Sequence, residues 1–171
     1  MTRYTKERIR KLIEGKLSWP EIKEMLSSPK DTDRFDKYLE ILQEKVPWSE
    51  KIILPYAEHL YIVAKEGKRI IKCDCGYEFG DYRENWKLNA LIYVRDTEEK
   101  LMEIYPKYMS TNINYQELRE YFCPQCKTLL DVEAVPPFYP PIFDFLPDID
   151  AFYKEWLKRD PPDATNKETT K

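Results

Sequence analysis

The chain has 171 residues, with 28 lysines and arginines, 31 aspartates and glutamates, and a single histidine. That length supplies one modest core rather than two, so the sequence reads as one unit with extensions. Acids and bases are interleaved at a net charge of −3 and a pI near 5.4, which argues against a nucleic-acid surface, and no apolar run approaches the roughly 20 residues of a membrane span.

The N-terminus, MTRYTKERIRKLIEG, is charged and has no signal-peptide apolar stretch, so a soluble cytoplasmic protein is expected. The first fifty residues predict three short helices. Ile9, Leu12 and Ile13 share one face, Ile22, Met25 and Leu26 a second, and Phe35, Tyr38, Leu39 and Leu42 a third. Ser18 and Glu21 form a capping-box pattern with Pro20 in the first turn, and Asp31 and Thr32 are expected to cap the third helix.

From Leu54 the pattern changes to strands. Leu60 to Ala64 and Arg69 to Cys73 flank a Glu66-Gly67 turn and predict a hairpin. In LNALIYVRD, Leu88, Ala90, Ile92 and Val94 alternate with more polar positions, predicting a strand with one buried face. A short helix is expected from Glu98 to about Tyr105, and a last strand from Leu130 to Val135. The stretch AVPPFYPPIFDFLPD carries five prolines among large apolar side chains, so it predicts an extended strap lying on its own globule or on a partner. Asp148 should cap a closing helix with Ile149, Phe152, Tyr153, Trp156 and Leu157 on one face. The expected organisation is a helical segment at 1–50, a zinc-ribbon-like β core at 51–135, strap and helix at 136–158, and a flexible or partner-held tail at 159–171.

Four cysteines fall in two pairs, Cys73 and Cys75 in CDCG, and Cys123 and Cys126 in CPQC. In a reducing compartment such pairs point to a metal before a disulfide, and two chelating turns brought together by strands suit tetrahedral zinc. Free buried thiols and a redox pair are the alternatives. Four thiolates close the coordination sphere, leaving no position for water or substrate, so the expected role is structural. No phosphate-binding glycine loop is present, and the lone His59 reads as a hydrogen-bonded or surface residue. Asp81, Arg83, Glu84 and Lys87 of DYRENWK read as solvated ion pairs. No residue is expected to be catalytic or to bind an organic cofactor.

The blocks CDCGYEFGDYRENWKL, LIYVRDT, EIYP, REYFCPQC, DVEAVPP and IFDFLPDIDAFYKEWL, preceded by MLSSPKDTDRFDKYLEILQEKVPWSEKIILP, resemble the acetone carboxylase gamma subunit family. The resemblance implies an α+β fold of N-terminal short helices, antiparallel hairpins around a zinc-ribbon-like site, the strap and a C-terminal helix. It also implies a non-catalytic small subunit carrying zinc on Cys73, Cys75, Cys123 and Cys126. Its partners would be alpha and beta large subunits in a heterohexamer of two alpha-beta-gamma units, with ATP, Mg2+ and a catalytic metal such as Mn2+ on the large subunits. The implied reaction condenses acetone with bicarbonate to acetoacetate. A related aryl-ketone (acetophenone) carboxylase and a free-standing zinc-ribbon interaction module are the alternatives.

Overall fold

The computed structural model describes residues 4–106 and 109–163. Three helices open the chain: α1 (Lys6–Ile13), α2 (Trp19–Ser27) and α3 (Arg34–Lys45). Thr5 caps α1 by accepting from the Arg8 amide, and Glu21 accepts from both the amide and the hydroxyl of Ser18, closing the expected capping box of α2. The cap of α3 is Asp33 rather than Asp31 or Thr32. Asp31 is engaged elsewhere, its carboxylate accepting from the Tyr4 amide at 2.8 Å and so tying the start of α1 to the α2–α3 turn. Of the expected apolar stripe on α2, Met25 is buried and Leu26 faces solvent.

The first sheet runs in the order β1 (Ile52–Ala57), β2 (Leu60–Lys65), β3 (Lys68–Cys73), β4 (Glu78–Asp81), all antiparallel. The β2–β3 hairpin has the expected register, Leu60 opposite Cys73 and Lys65 opposite Lys68. Its two-residue turn puts both Glu66 and Gly67 at positive φ, 50° and 74°, the twist that closes a tight hairpin. Pro55 lacks a donor for the ladder, and it sits on edge strand β1 beside two register shifts.

Both faces of this sheet are covered. Leu60, Ile62, Ile71 and Cys73 join a core with Phe79, Trp86, Tyr121 and Leu130, while Tyr61, Val63 and Ile70 meet Leu42 and Val46 at the α3 end. That is why the β2 run LYIV is continuously apolar rather than alternating. Each such side chain contributes about 1.5–3 kcal/mol on burial.

The second sheet has the order β5 (Leu91–Arg95), β6 (Glu117–Phe122), β7 (Leu129–Val135), again antiparallel. Leu88 is not part of β5, because Trp86–Asn89 form a 3-10 turn, and the expected buried Ile92 face is absent: Ile92 is exposed and Arg95 buried. Arg95 can be buried because Glu120 and Glu103 take its charge at 3.1 and 2.6 Å. Helix α4 is shorter than expected, Glu98–Met102, and packs Leu101 inward.

After β7 the strap returns across the sheet face carrying Arg119, Tyr121 and Glu133. Arg119 donates to the Tyr139 carbonyl, Glu133 accepts from the Ile142 amide, and Asn85 donates to the Pro141 carbonyl. It then reaches the first sheet, where Tyr56 donates to the Phe145 carbonyl and stacks on the Phe145 ring at 4.8 Å. The closing helix begins as a single α turn, α5 (Ile149–Ala151), capped by Asp148, and widens into a π turn over Phe152–Trp156. The wider turn carries Trp156 off the Ile149–Tyr153 face, so this residue is exposed instead of packed as expected. Asp163, within the segment expected to be a flexible or partner-held tail, pairs with Arg69 at 2.6 Å, and 164–171 lie outside the described residues.

Candidate metal centre

Both cysteine pairs occupy hairpin tips. Cys73 ends β3 and Cys75 sits in the turn to β4, while Cys123 follows β6 and Cys126 precedes β7. Each tip is a tight backbone loop. The Cys73 amide donates to the Tyr77 carbonyl and the Gly76 amide to the Cys73 carbonyl; across the gap the Cys123 amide donates to Thr128 and the Lys127 amide to Cys123. The loops turn through positive φ at Gly76 (101°) and Lys127 (62°). At Gly76 this geometry favours glycine, and an added Cβ would also lie 3.3 Å from the Trp48 ring.

The fold brings all four sulfurs together. Sγ of Cys73 lies 3.8 Å from Sγ of Cys126, and Sγ of Cys75 lies 3.6 Å from Sγ of Cys123, with all four within 4.8 Å of one another. A disulfide needs about 2.05 Å between sulfurs, whereas four thiolates about 2.3 Å from a tetrahedral zinc are about 3.8 Å apart along each edge. The spacing therefore fits a metal-sized centre and not two disulfides. Cys73 and Cys123 are buried, Cys75 is half-buried and Cys126 is exposed. Burial pushes the Cys73 and Cys75 thiols up. At Cys126 burial acts the same way but is outweighed by the Thr128 hydroxyl, 3.2 Å away, and the Thr128 backbone, which bring the thiol down to about 6. A cation entering this cluster would replace protons held by buried sulfur, so its affinity rises with pH and is lost in acid.

The supporting residues were harder to see in the sequence. Trp48 donates its ring N–H to both the Cys73 and Asp74 carbonyls at 3.1 Å, fastening the first tip to the end of the helical layer. Lys72 lies 5.1 Å over the Trp48 ring and pairs with Glu50 at 2.5 Å. His59, which the sequence suggested was a hydrogen-bonded or surface residue, contacts the Asp74 carboxylate at 2.5 Å, while its carbonyl accepts from the Asp74 amide. Nothing in the spacing of VPWSEK singles out Trp48 as the clamp.

The reading of DYRENWK as solvated pairs fails at Lys87. This side chain is 0% exposed, and its ammonium meets Asp131, Glu133 and Asp144 at 2.6, 2.7 and 2.8 Å, with Tyr121 donating to the same Glu133 at 2.7 Å. The 3-10 turn after Asn85 points Lys87 inward, where it joins β7 to the strap. The three carboxylates cluster closely enough to suggest a second cation site, but the ammonium already supplies the positive charge. Of the other cations on the first sheet and the turn that follows it, Arg69 pairs with Asp150 and Asp163, Lys72 with Glu50 and Glu78, and Arg83 with Asp81.

The family described as "Acetone carboxylase gamma subunit" matches residues 46–157, the span holding Trp48, the four cysteines, Lys87 and the strap. A protein of Xanthobacter autotrophicus (strain ATCC BAA-1158 / Py2), itself named "Acetone carboxylase gamma subunit", is 51% identical over 156 residues, covering 90% of this chain and 93% of its own. The chain belongs to the acetone carboxylase gamma subunit family. Within this family the chain presents a thiol quartet between two hairpin tips, locked from one side by Trp48 and from the other by the Thr128 loop. Among the described residues no helix is long and apolar enough to cross a membrane.

Proposed function

We propose that this chain is the zinc-carrying, non-catalytic assembly subunit of an ATP-dependent ketone carboxylase, with Cys73, Cys75, Cys123 and Cys126 as the zinc ligands. The observation that carries the reading is the closed cluster of four sulfurs at tetrahedral-edge spacing. Four thiolates leave the ion no open position, so it can neither activate water nor polarise a ketone. What it supplies is cross-linking of two hairpins that belong to different sheets, worth on the order of 10 kcal/mol in apparent binding energy.

The matched relative is named for acetone, and the proposed complex condenses acetone with bicarbonate to acetoacetate in the cytoplasm. Bicarbonate is a poor electrophile and a methyl ketone a reluctant carbon acid, which accounts for the ATP requirement. The nucleotide, Mg2+ and the catalytic metal would belong to alpha and beta subunits, two copies of each joining two of this chain. An aryl ketone is the alternative substrate. The pairing of Arg69, Lys72 and Arg83 with carboxylates favours protein over nucleic acid as partner.

The test is co-expression with the candidate large subunits. The expected result is a stable complex that carboxylates acetone, no turnover by this chain alone, and one zinc in each copy of it. A monomer that binds neither large subunit, or an isolated chain that turns over ketone, would overturn the proposal.

A further inference from the structure

The strap has an inner side committed to its own globule and an outer side turned to solvent among the described residues. Inward it spends its carbonyls and amides on Arg119, Glu133, Asn85 and Tyr56. Outward, Phe138, Tyr139, Ile142, Phe143 and Leu146 are exposed, Phe138 at 99%, and Phe145, which stacks one ring face on Tyr56, is half exposed beside them. From the usual size of such side chains, the exposed surface is on the order of 700 Å². That exceeds the largest apolar patch of most monomers and approaches the roughly 800 Å² each partner contributes to a stable interface. Between residues 136 and 147 the one charged residue is Asp144, whose carboxylate is held by Lys87. A charge-depleted apolar centre is what the middle of an interface needs.

Phe138 is displayed by a strained turn. The Tyr139 amide donates to the Pro136 carbonyl, with Pro137 and Phe138 as the central residues and Phe138 at φ 65°. This arrangement calls for glycine at the second central position, and a bulky residue there stores strain of the kind found at ligand clamps. Flanking Pro136-Pro137 and Pro140-Pro141 stiffen the turn, and Arg119 holds the Tyr139 carbonyl from beneath. A ring presented in advance in this way loses little freedom on docking.

We infer that the outer face of the strap is the docking surface for a large subunit of the complex, with Phe138 as the anchor that enters an apolar pocket on that subunit. The inference rests on the assembly role proposed above and names its contact. The deciding variant is Phe138→Gly, because glycine accepts the positive φ and the change removes the ring without harming the turn.

The isolated Phe138→Gly chain is expected to unfold at the same temperature as the parent or higher. Its dissociation constant for the co-expressed large subunits, read by biolayer interferometry, should rise at least about tenfold. A complex as tight as the parent's overturns the anchor alone. A parent chain that forms no complex overturns both the anchor and the assembly role. If sedimentation shows the parent self-associating, the variant monomeric and both bound equally to the large subunits, the face belongs to a second copy and the inference fails.

Discussion

Replacing Lys87 with methionine keeps the length of the side chain and removes the ammonium that joins β7 to the strap. Three carboxylates then lose an ammonium at 2.6–2.8 Å. Asp131 and Asp144 are more than a third exposed and can turn to water, so the cost concentrates on Glu133, which is buried. Glu133 retains the Tyr121 hydroxyl and the Ile142 amide, with Arg119 at 3.8 Å. Removing one partner of a buried pair costs about 3–5 kcal/mol, and the surviving donors place this case at the lower end, about 3 kcal/mol. For a chain of this size that corresponds to a drop of roughly 6–12 °C in Tm. Urea titration measures the loss, and limited proteolysis should find the variant newly cut within residues 136–147. A loss under about 1 kcal/mol, or a strap cut no faster than the parent's, would refute the account of Lys87.

Trp48→Phe retains an aromatic ring beside Gly76 and deletes the N–H shared by the Cys73 and Asp74 carbonyls. It should cost about 1 kcal/mol and speed zinc loss to a chelator; an unchanged loss rate would remove Trp48 from the site. Acid should weaken the fold through depressed carboxylates. Hydrogen bonds from Lys6 and Arg10 hold Glu44 at about 2, and Arg83 holds Asp81 at about 2. Groups lowered in the folded state stabilise above their unfolded values near 4 and lose that effect as pH falls through about 2. The urea midpoint should therefore decline between pH 4 and pH 2, and more shallowly in high salt because Glu44 is exposed.

Parts of this molecule were legible because local chemistry and tertiary structure agree there. Glu66-Gly67 between two β-rich runs could only be a tight turn, and CPQC with CDCG announced the two cysteine tips that the fold brings together. Ser18 and Glu21 specified their cap without reference to anything distant. Elsewhere the tertiary partner decided the outcome. ELREYF reads as polar, yet it is the central strand of the second sheet, since Glu117, Glu133 and the strap take up Arg119 while Arg95 takes up Glu120. Pro55 hides β1 from any propensity rule until its edge position is known. Lys87 looks solvated within DYRENWK because its three carboxylates lie 44, 46 and 57 residues away. The outward turn of Trp156 depends on a π widening that helical periodicity does not anticipate.

The most direct test of the central claim is to remove the metal from the purified chain with a chelator while following released zinc and circular dichroism together. A structural centre predicts one zinc released per chain with cooperative loss of β structure, and recovery of both when zinc is returned. Release of the zinc with the fold unchanged would contradict it.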